Sequence, residues 1–495
     1  MQLLNSSSLF NVGLYLVCLA LLSCSTARAA DARPQPLRLK PGPHLFVDDY
    51  LIEEQVNLTR TTHQPERWPQ PILGPAEPWH QLVSPATVLY DPVQKRYRMW
   101  YMVKNWSGNG PFWAHAYAES SDGINWVRPS LGLIQMHGST DNNLYLGRGI
   151  GGLAVDEGPN FTPADERFKY VYWHEGIWVY HSPDGIHWTP YTDEPVLPFY
   201  ESDHPLFKQS VGDIVNCIKD TIRGGYLLIF KMYAVPEDNF SGKTQNMSRA
   251  GERRLVGQSR STDFVHWTKP HRILVPDAQD EGITEFYGVT PYIRGDLYLG
   301  FLRVLRDDLP ADPGGPVEGI GYTELVTSRD GENWQRHHEI FFDRNYEPGT
   351  FDHAFAYIAT VAEVDDELYF QYSGLSTGHK VGGRAIGMAK LRKDGFVSLD
   401  AGEAPGLLRT PLVLLDASRL SLNINAADGE VKVQVVDDSG QPVPGFTFAD
   451  CQPVSGDSLH KMVRWRRPLT ALQGQPLHLE FSLRRAELYG FQLKP

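Results

Sequence analysis

The chain has 495 residues, 41% of them hydrophobic and 21% charged, with a formal net charge of −13 at pH 7. That length is too great for one ordinary compact core, so it implies several domains or a repeat architecture. The acidic balance excludes nucleic acid or an anionic membrane surface as the main partner and leaves room only for a local basic pocket. An aromatic content of 12%, with 45 Gly and 36 Pro, suits short strands joined by turns better than long helices.

Residues 9–22 are almost wholly apolar, and Ala27-Arg28-Ala29 then offers a small-x-small cleavage site before Ala30. The expectation is an export signal over residues 1–30 and a secreted or periplasmic mature protein. The alternative is lipoprotein anchoring at Cys24, since Leu21-Leu22-Ser23-Cys24 loosely follows a lipobox. The apolar run is short for a bilayer span and no later segment offers one, so no membrane span is expected. Cleavage would leave Cys217 and Cys451, which are too few and too far apart for a disulfide framework and read as buried thiols.

From residue 85 onward one grammar recurs: an apolar strand, a polar turn, an aromatic strand, then Ser, Asp-Gly or similar, and Trp. The first copy has strands at 85–90 and 97–101 and ends in Ser121-Asp122-Gly123-Ile124-Asn125-Trp126. The second has 152–155 and 168–173 before Ser182-Pro183-Asp184-Gly185-Ile186-His187-Trp188. The third has 214–218 and 226–230 before Ser261-Thr262-Asp263-Phe264-Val265-His266-Trp267. The fourth has 287–293 and 297–301 before Ser328-Arg329-Asp330-Gly331-Glu332-Asn333-Trp334. The fifth has 355–364 and 368–372 before a degenerate Arg392-Lys393-Asp394-Gly395-Phe396-Val397. Asp closes such a turn by bonding its own backbone, and Gly accepts positive φ. Four strands per copy and five copies predict an all-β chain with a five-bladed β-propeller over residues 31–406. After residue 407 the grammar stops. Strictly alternating segments at 420–424, 431–435 and 477–481 predict a C-terminal β-sandwich over 407–495.

A propeller works at one mouth of its channel, which the residues preceding each inner strand surround. In chain order these are Trp79 and His80, then Gly151 and Gly152, then Asp213, then Glu285 with Phe286 and Tyr287, then Asp352 and His353. Three acids from three successive blades suit glycosidic chemistry, which needs one carboxyl to protonate the leaving oxygen and another to activate water or attack the sugar. Glu285 is the expected general acid, Asp213 the base or nucleophile, and Asp352 an orienting group. Each also has a structural reading: Asp213 bonding turn amides, Glu285 pairing with Arg303 or Arg306, Asp352 capping a strand, His353 a satisfied core histidine. Trp79, His80, Trp113, Tyr287, Arg303 and His353 are the expected substrate-binding set. Nucleophile-elbow, zinc, Walker and dinucleotide signatures are missing, so no cofactor and no metal are expected.

Residues 45–52 (Leu-Phe-Val-Asp-Asp-Tyr-Leu-Ile), the strand Tyr97-Arg98-Met99-Trp100-Tyr101 and the Ser-x-Asp-Gly-x-x-Trp turns resemble secreted bacterial proteins similar to glycoside hydrolase family 32. These belong to the five-bladed furanosidase-type superfamily of invertases, arabinanases, xylosidases and mannoside phosphorylases. The resemblance, which extends to residues 390–396 and 444–446, implies a secreted carbohydrate-active enzyme acting on glycosidic bonds. The invertase-type Trp-x-Asn-Asp-Pro, Arg-Asp-Pro and Glu-Cys motifs do not occur in full, and Pro78-Trp79-His80 stands where an acid is needed, so the family's nucleophile transfers to no residue here. The rival expectations are a non-catalytic sugar-binding propeller and a phosphorylase, for which Arg303, Arg306 and His353 would supply phosphate contacts. The oligomeric state has no sequence signature.

Overall fold

The structure, a computed structural model, describes residues 35–75, 82–105, 108–199, 211–234, 238, 240–242 and 251–495. The expected signal segment, Cys24, Trp79 and His80 lie outside the described residues. The described chain is all-β. Its helical elements are short 3-10 turns such as Asp49–Leu51 and Leu469–Leu472, and no helix among the described residues is long and apolar enough to cross a membrane.

Four-stranded antiparallel sets follow one another along the chain. The first joins Leu82–Asp91, Arg96–Lys104, Trp113–Ser120 and Leu144–Leu146. The second joins Ile150–Asp156, Phe168–Trp173, Gly176–Ser182 and Thr189–Pro190, with a fifth short strand, Leu197–Pro198, also paired to Gly176–Ser182. The third joins Val215–Lys219, Tyr226–Tyr233, Arg254–Ser261 and His271–Leu274. The next sheet has eight strands. Thr284–Arg294, Leu297–Arg306, Ile320–Ser328 and Gln335–Phe342 form its first set, and Phe355–Val364, Glu367–Leu375 and Arg384–Arg392 its second, the two touching at one parallel pair, Gly321 with Phe355.

The fourth strand of that last set is Glu66–Arg67, paired with Lys390 and Ala389. The sequence pattern places it after Asp394 instead. The reason lies in Asp394, which does not close a Ser-Asp turn as its counterparts do but receives both Nε and Nη2 of Arg294. The chain then continues into Val397–Ala401, a strand of a separate 11-stranded sheet.

Apolar layers join each set to the next. Trp100 and Tyr117 of the first pack with Phe168 and Tyr170 of the second. Val155 and Val171 pack with Leu228 and Phe264, Ile229 and Val256 with Val289 and Leu302, and Phe301 and Leu325 with Ile358 and Phe370. The last set returns to the first: Ala362 and Ile386 share a layer with Val88 and Met99. Burial of these side chains, at about 1.5–3 kcal/mol for each large one, supplies the main cohesion of the ring of contacts.

The Ser-Asp turns explain the repeat. In the first, Asp122 accepts hydrogen bonds from the backbone N–H groups of Ile124 and Asn125 at 2.9 and 2.8 Å, and Ser120 Oγ accepts from Gly123 N–H. The equivalent serines are thus Ser120, Ser182, Ser261 and Ser328, each two residues before its Asp; the first copy's Ser is Ser120, not Ser121. Gly185 takes φ +75°, and a Cβ there would meet Trp100 at 2.8 Å. In two copies the Trp folds back onto its own turn, as Trp126 Nε1 donates to Gly123 O and Trp267 Nε1 to Phe264 O, whereas Trp334 Nε1 donates to Gln258 Oε1.

The 11-stranded sheet combines strands from both ends of the chain. Leu37–Leu39 pairs with Val413–Leu415, Gly42–Leu45 with Ala486–Lys494, and Thr59–Thr62 with Val397–Ala401. Its core holds Phe46, Leu422, Val433, Phe481 and Phe491. Cys217 and Cys451 are both buried and unbridged, one in the third four-stranded set and one in this core.

Candidate functional site

Antiparallel pairing brings the start of each first strand, the end of the second and the start of the third to one edge of a set. In the third set these positions hold Asp213, Lys231 and Arg254. Asp213 precedes Val215, and Arg254 lies opposite Tyr233 in the register. Gly212 permits the encounter: its N–H donates to Lys231 O at 2.7 Å, and a Cβ there would stand 2.8 Å from that oxygen. Asp213 is therefore drawn onto the Lys231 ammonium, forming an ion pair in which the lysine side chain is only 5% exposed and the aspartate 31%.

In the fourth set Glu285 enters the first strand fully buried. Its Oε2 accepts from the Arg254 backbone N–H at 2.9 Å and its Oε1 from Arg254 Nη1 at 2.7 Å. Its ion-pair partner is thus Arg254, not Arg303 or Arg306; Arg306 is held by Asp308. Two residues on, the ladder passes from Phe286–Val304 to Gly288–Arg303 and skips Tyr287. This bulge re-aims Tyr287. Its ring stacks on Tyr357 of the fifth set at 5.8 Å and 25°, lies 5.3 Å from His379, and faces both Lys231 Nζ and the Arg254 guanidinium at 5.1 and 5.5 Å. His379 Nδ1 meets buried Asp307 at 2.9 Å.

Arg303 runs beneath this group. Nε donates to Ile358 O at 2.9 Å, and Nη2 to Thr290 Oγ1 at 2.8 Å and to Asn216 Oδ1 at 3.3 Å, so one side chain ties three sets together. Trp113 begins the third strand of the first set, and Lys104 Nζ lies 4.8 Å from the rings of both Trp113 and Phe112. In the second set the start of the first strand carries no side chain: a Cβ on Gly152 would lie 2.0 Å from Tyr170 Oη, which instead bonds His115.

The expected site residues therefore divide. Asp213, Glu285, Tyr287 and Arg303 come together, linked through Lys231, Arg254 and the Tyr287 ring. Asp352 is elsewhere. Its buried carboxylate accepts from Arg67 Nε at 3.0 Å and Tyr372 Oη at 2.8 Å, beside Phe342 and Phe351. His353 is also buried, between Asn345 O and Asp312 Oδ1, and shares no contact with Asp213 or Glu285. Sequence reading missed Lys231, Tyr357, Arg254, His379 and Arg384. For the charged groups of the mouth it considered mainly the starts of first strands, with Arg303 the one exception. The same antiparallel rule, applied to second-strand ends and third-strand starts, would have found Lys231, Arg254 and Arg384.

The electrostatics differ between the two acids. Burial opposes ionisation of Asp213, but Lys231, the local backbone amide and Arg254 outweigh it and hold the carboxyl below the ordinary range. For Glu285 burial prevails over Arg254, and the charge of Asp307 adds to it, so its carboxyl is pushed up. Burial lowers His379 to about 4 despite Asp307, so its imidazole is neutral at pH 7. Among the described residues no group of His, Cys, Asp and Glu is arranged to hold a metal ion.

No protein-family model and no curated protein matches this chain. Its structural neighbours among solved proteins include glycoside hydrolases and an N-acetylgalactosamine deacetylase. A GH32 β-fructofuranosidase from Bombyx mori is 11% identical, with 86% of this chain and 94% of that one covered and a TM-score of 0.43. A fructofuranosidase from Schwanniomyces occidentalis, complexed with fructosylnystose, is 10% identical over 89% of this chain and all of that one, with a TM-score of 0.42. A member of the GH130 family of mannoside phosphorylases and glycoside hydrolases is 14% identical over 67% and 94%, with a TM-score of 0.42.

Proposed function

We propose that the chain is a secreted or periplasmic carbohydrate-active enzyme that cleaves glycosidic bonds at the mouth formed by Asp213, Lys231, Arg254, Glu285 and Tyr287. On this reading the successive four-stranded sets are the blades of a five-bladed β-propeller, closed by Glu66–Arg67, and the 11-stranded sheet is the C-terminal β-sandwich braced by the N-terminal strands. One observation carries the functional reading. Two carboxyls from adjacent sets meet around a stacked tyrosine pair, and their surroundings push their pKa values in opposite directions. Such divergence is how one site keeps an acid and a base together near neutrality.

Asp213, ionised and partly open to solvent, takes the role of base or nucleophile. Lys231 holds it in place and keeps it charged. Glu285 takes the role of acid. Both of its oxygens are occupied by Arg254 donors, so proton delivery requires Arg254 to release it when substrate binds. Tyr287 and Trp113 offer rings against which a sugar face can stack.

A specific observation favours a second reading, a binding propeller without turnover: Asp213 and Glu285 each already have a cation, and Glu285 has no exposed surface. The deciding experiment is a screen of the mature protein, with Asp213→Asn and Glu285→Gln beside it, against aryl glycosides and plant and algal polysaccharides. Sugar release by wild type and by neither variant supports the hydrolase. Release unaffected by both substitutions removes this pair from the chemistry. Saturable binding across the panel without release establishes the binding reading.

A further inference from the structure

Two arginines at the same mouth stand apart from the paired charges. Arg303 makes three hydrogen bonds to neutral acceptors and Arg384 makes none, and among the described residues neither has a carboxylate partner. Both interact electrostatically with the same stacked pair, Tyr287 and Tyr357. Arg384 begins the third strand of the fifth set, the position Arg254 holds in the third set. Its Nε is sealed from solvent with no acceptor. Asn216 is 1% exposed; its Oδ1 accepts from Arg303 and its Nδ2 is buried without an acceptor.

The unmet groups beside these arginines, Arg384 Nε and Asn216 Nδ2, are donors, whereas Asp213 Oδ1, which also lacks a hydrogen bond, lies against the Lys231 ammonium. A guanidinium Nε and an amide Nδ2 sealed from water are costly unless something accepts from them. Lys104 lies within electrostatic reach of Arg384, a further positive charge close to this arginine. A neutral sugar, whose hydroxyls both donate and accept, does not require such a surface. A small oxyanion, which only accepts, does.

We infer that this mouth recognises a negatively charged substituent, a carboxylate or sulfate carried on the sugar, through the Arg303 and Arg384 guanidinium groups with Asn216 Nδ2 beside them. The inference rests on the reading of the site as carbohydrate-binding and narrows its substrate to acidic glycans. The forked guanidinium matches a planar carboxylate or a face of sulfate by two parallel hydrogen bonds. Burial lowers the Arg303 pKa to about 10, still well above neutrality, so the group stays charged while poorly solvated and meets its anion at reduced dehydration cost. Asp213 and Glu285, neutralised by Lys231 and Arg254, repel the incoming anion little.

The test is calorimetric binding of the full mature chain to paired probes: oligogalacturonate against its methyl ester, sulfated against desulfated galactan oligosaccharides, and inorganic sulfate and phosphate alone. Wild type is compared with Arg384→Gln, which removes no protein contact, and with Arg303→Lys. The expected result is at least tenfold tighter binding of a charged oligosaccharide than of its neutral counterpart. That preference weakens with added salt and is lost in Arg384→Gln, whose melting temperature is unchanged or higher. Equal affinity for charged and neutral probes, or full retention of the preference in Arg384→Gln, overturns the inference while leaving the glycan reading intact. Arg384-dependent binding of free sulfate or phosphate, with no oligosaccharide of either kind bound, supports the oxyanion site and overturns the glycan reading.

Discussion

The buried Arg254–Glu285 pair yields the sharpest quantitative prediction. Glu285 has no exposed side-chain surface and Arg254 is 4% exposed, so neither charge recovers water if its partner is removed. Arg254→Met keeps the aliphatic volume and the backbone N–H that donates to Glu285 Oε2, but deletes the Nη1 donor and the compensating charge. Breaking one side of a buried pair costs about 3–5 kcal/mol, whereas replacing both sides by apolar groups is close to neutral. Arg254→Met should therefore lose about 3–5 kcal/mol at pH 8, and Arg254→Met/Glu285→Leu should recover most of it. The loss has a pH signature. Glu285 already has a folded pKa above its unfolded value, and removal of Arg254 raises it further. A group raised in this way takes up its proton in the folded state first, so the variant is least impaired below about pH 4 and loses stability as pH rises through the folded value. Urea unfolding of the four proteins of the cycle at pH 5 and pH 8 measures both effects. A coupling energy below about 1 kcal/mol, or a deficit independent of pH, would refute the assignment of this pair as a buried, interdependent unit.

Further outcomes follow from other contacts. Asp213→Asn should reduce turnover of a cleaved substrate by about 10²–10⁴-fold, and Lys231→Met should lower turnover while moving the acidic limb of the pH–rate profile upward, because Lys231 holds Asp213 down. Asp184 and Asp330, held at about 2 against burial by turn amides and neighbouring side chains, have depressed folded values. Their contribution is complete above the ordinary aspartate range and vanishes as pH falls toward 2, so circular dichroism should record unfolding in that window, displaced to higher pH in Asp330→Ala. Deleting residues 35–63 removes four strands from the 11-stranded sheet and uncovers its core around Phe481 and Phe491. The expected product is insoluble or dye-binding protein, and a soluble chain with native near-ultraviolet dichroism would contradict this.

How much of this was legible in the sequence depended on whether the determinant was local. The Ser-Asp-Gly turn is read directly, because Asp122, Asp184, Asp263 and Asp330 satisfy amides two and three residues away. Asp213 and Glu285 were legible as residues at strand starts, since chain direction within a repeat fixes which end they occupy. Their partners were not. Lys231 lies 18 residues from Asp213 and Arg254 lies 31 from Glu285; the first contact depends on the pairing of neighbouring strands and the second on the packing of two different sheets. Asp352 shows the opposite case. It follows the same positional rule, but Arg67, brought from the far N-terminal side by the Glu66–Arg67 strand, turns its carboxylate into a structural partner of Tyr372. The degenerate fifth motif carries the same lesson: Asp394 departs from the pattern because Arg294, 100 residues earlier, claims it.

The pairing of Glu66–Arg67 with Ala389 and Lys390 also sets a timetable. These residues leave the ribosome more than 300 residues before their neighbours exist, as do the strands Leu37–Leu39 and Gly42–Leu45, whose partners are Val413–Leu415 and Ala486–Lys494. The intervening sets can assemble from nearby hairpins as they emerge, but the last set must wait for residue 392 and the 11-stranded sheet for the C-terminal strand Ala486–Lys494. Contacts of such long sequence separation form slowly, and exposed edges persist meanwhile. Refolding should consequently show an early phase in which the interior sets acquire protection from hydrogen exchange, and a late, concerted phase in which the two chain ends lock together.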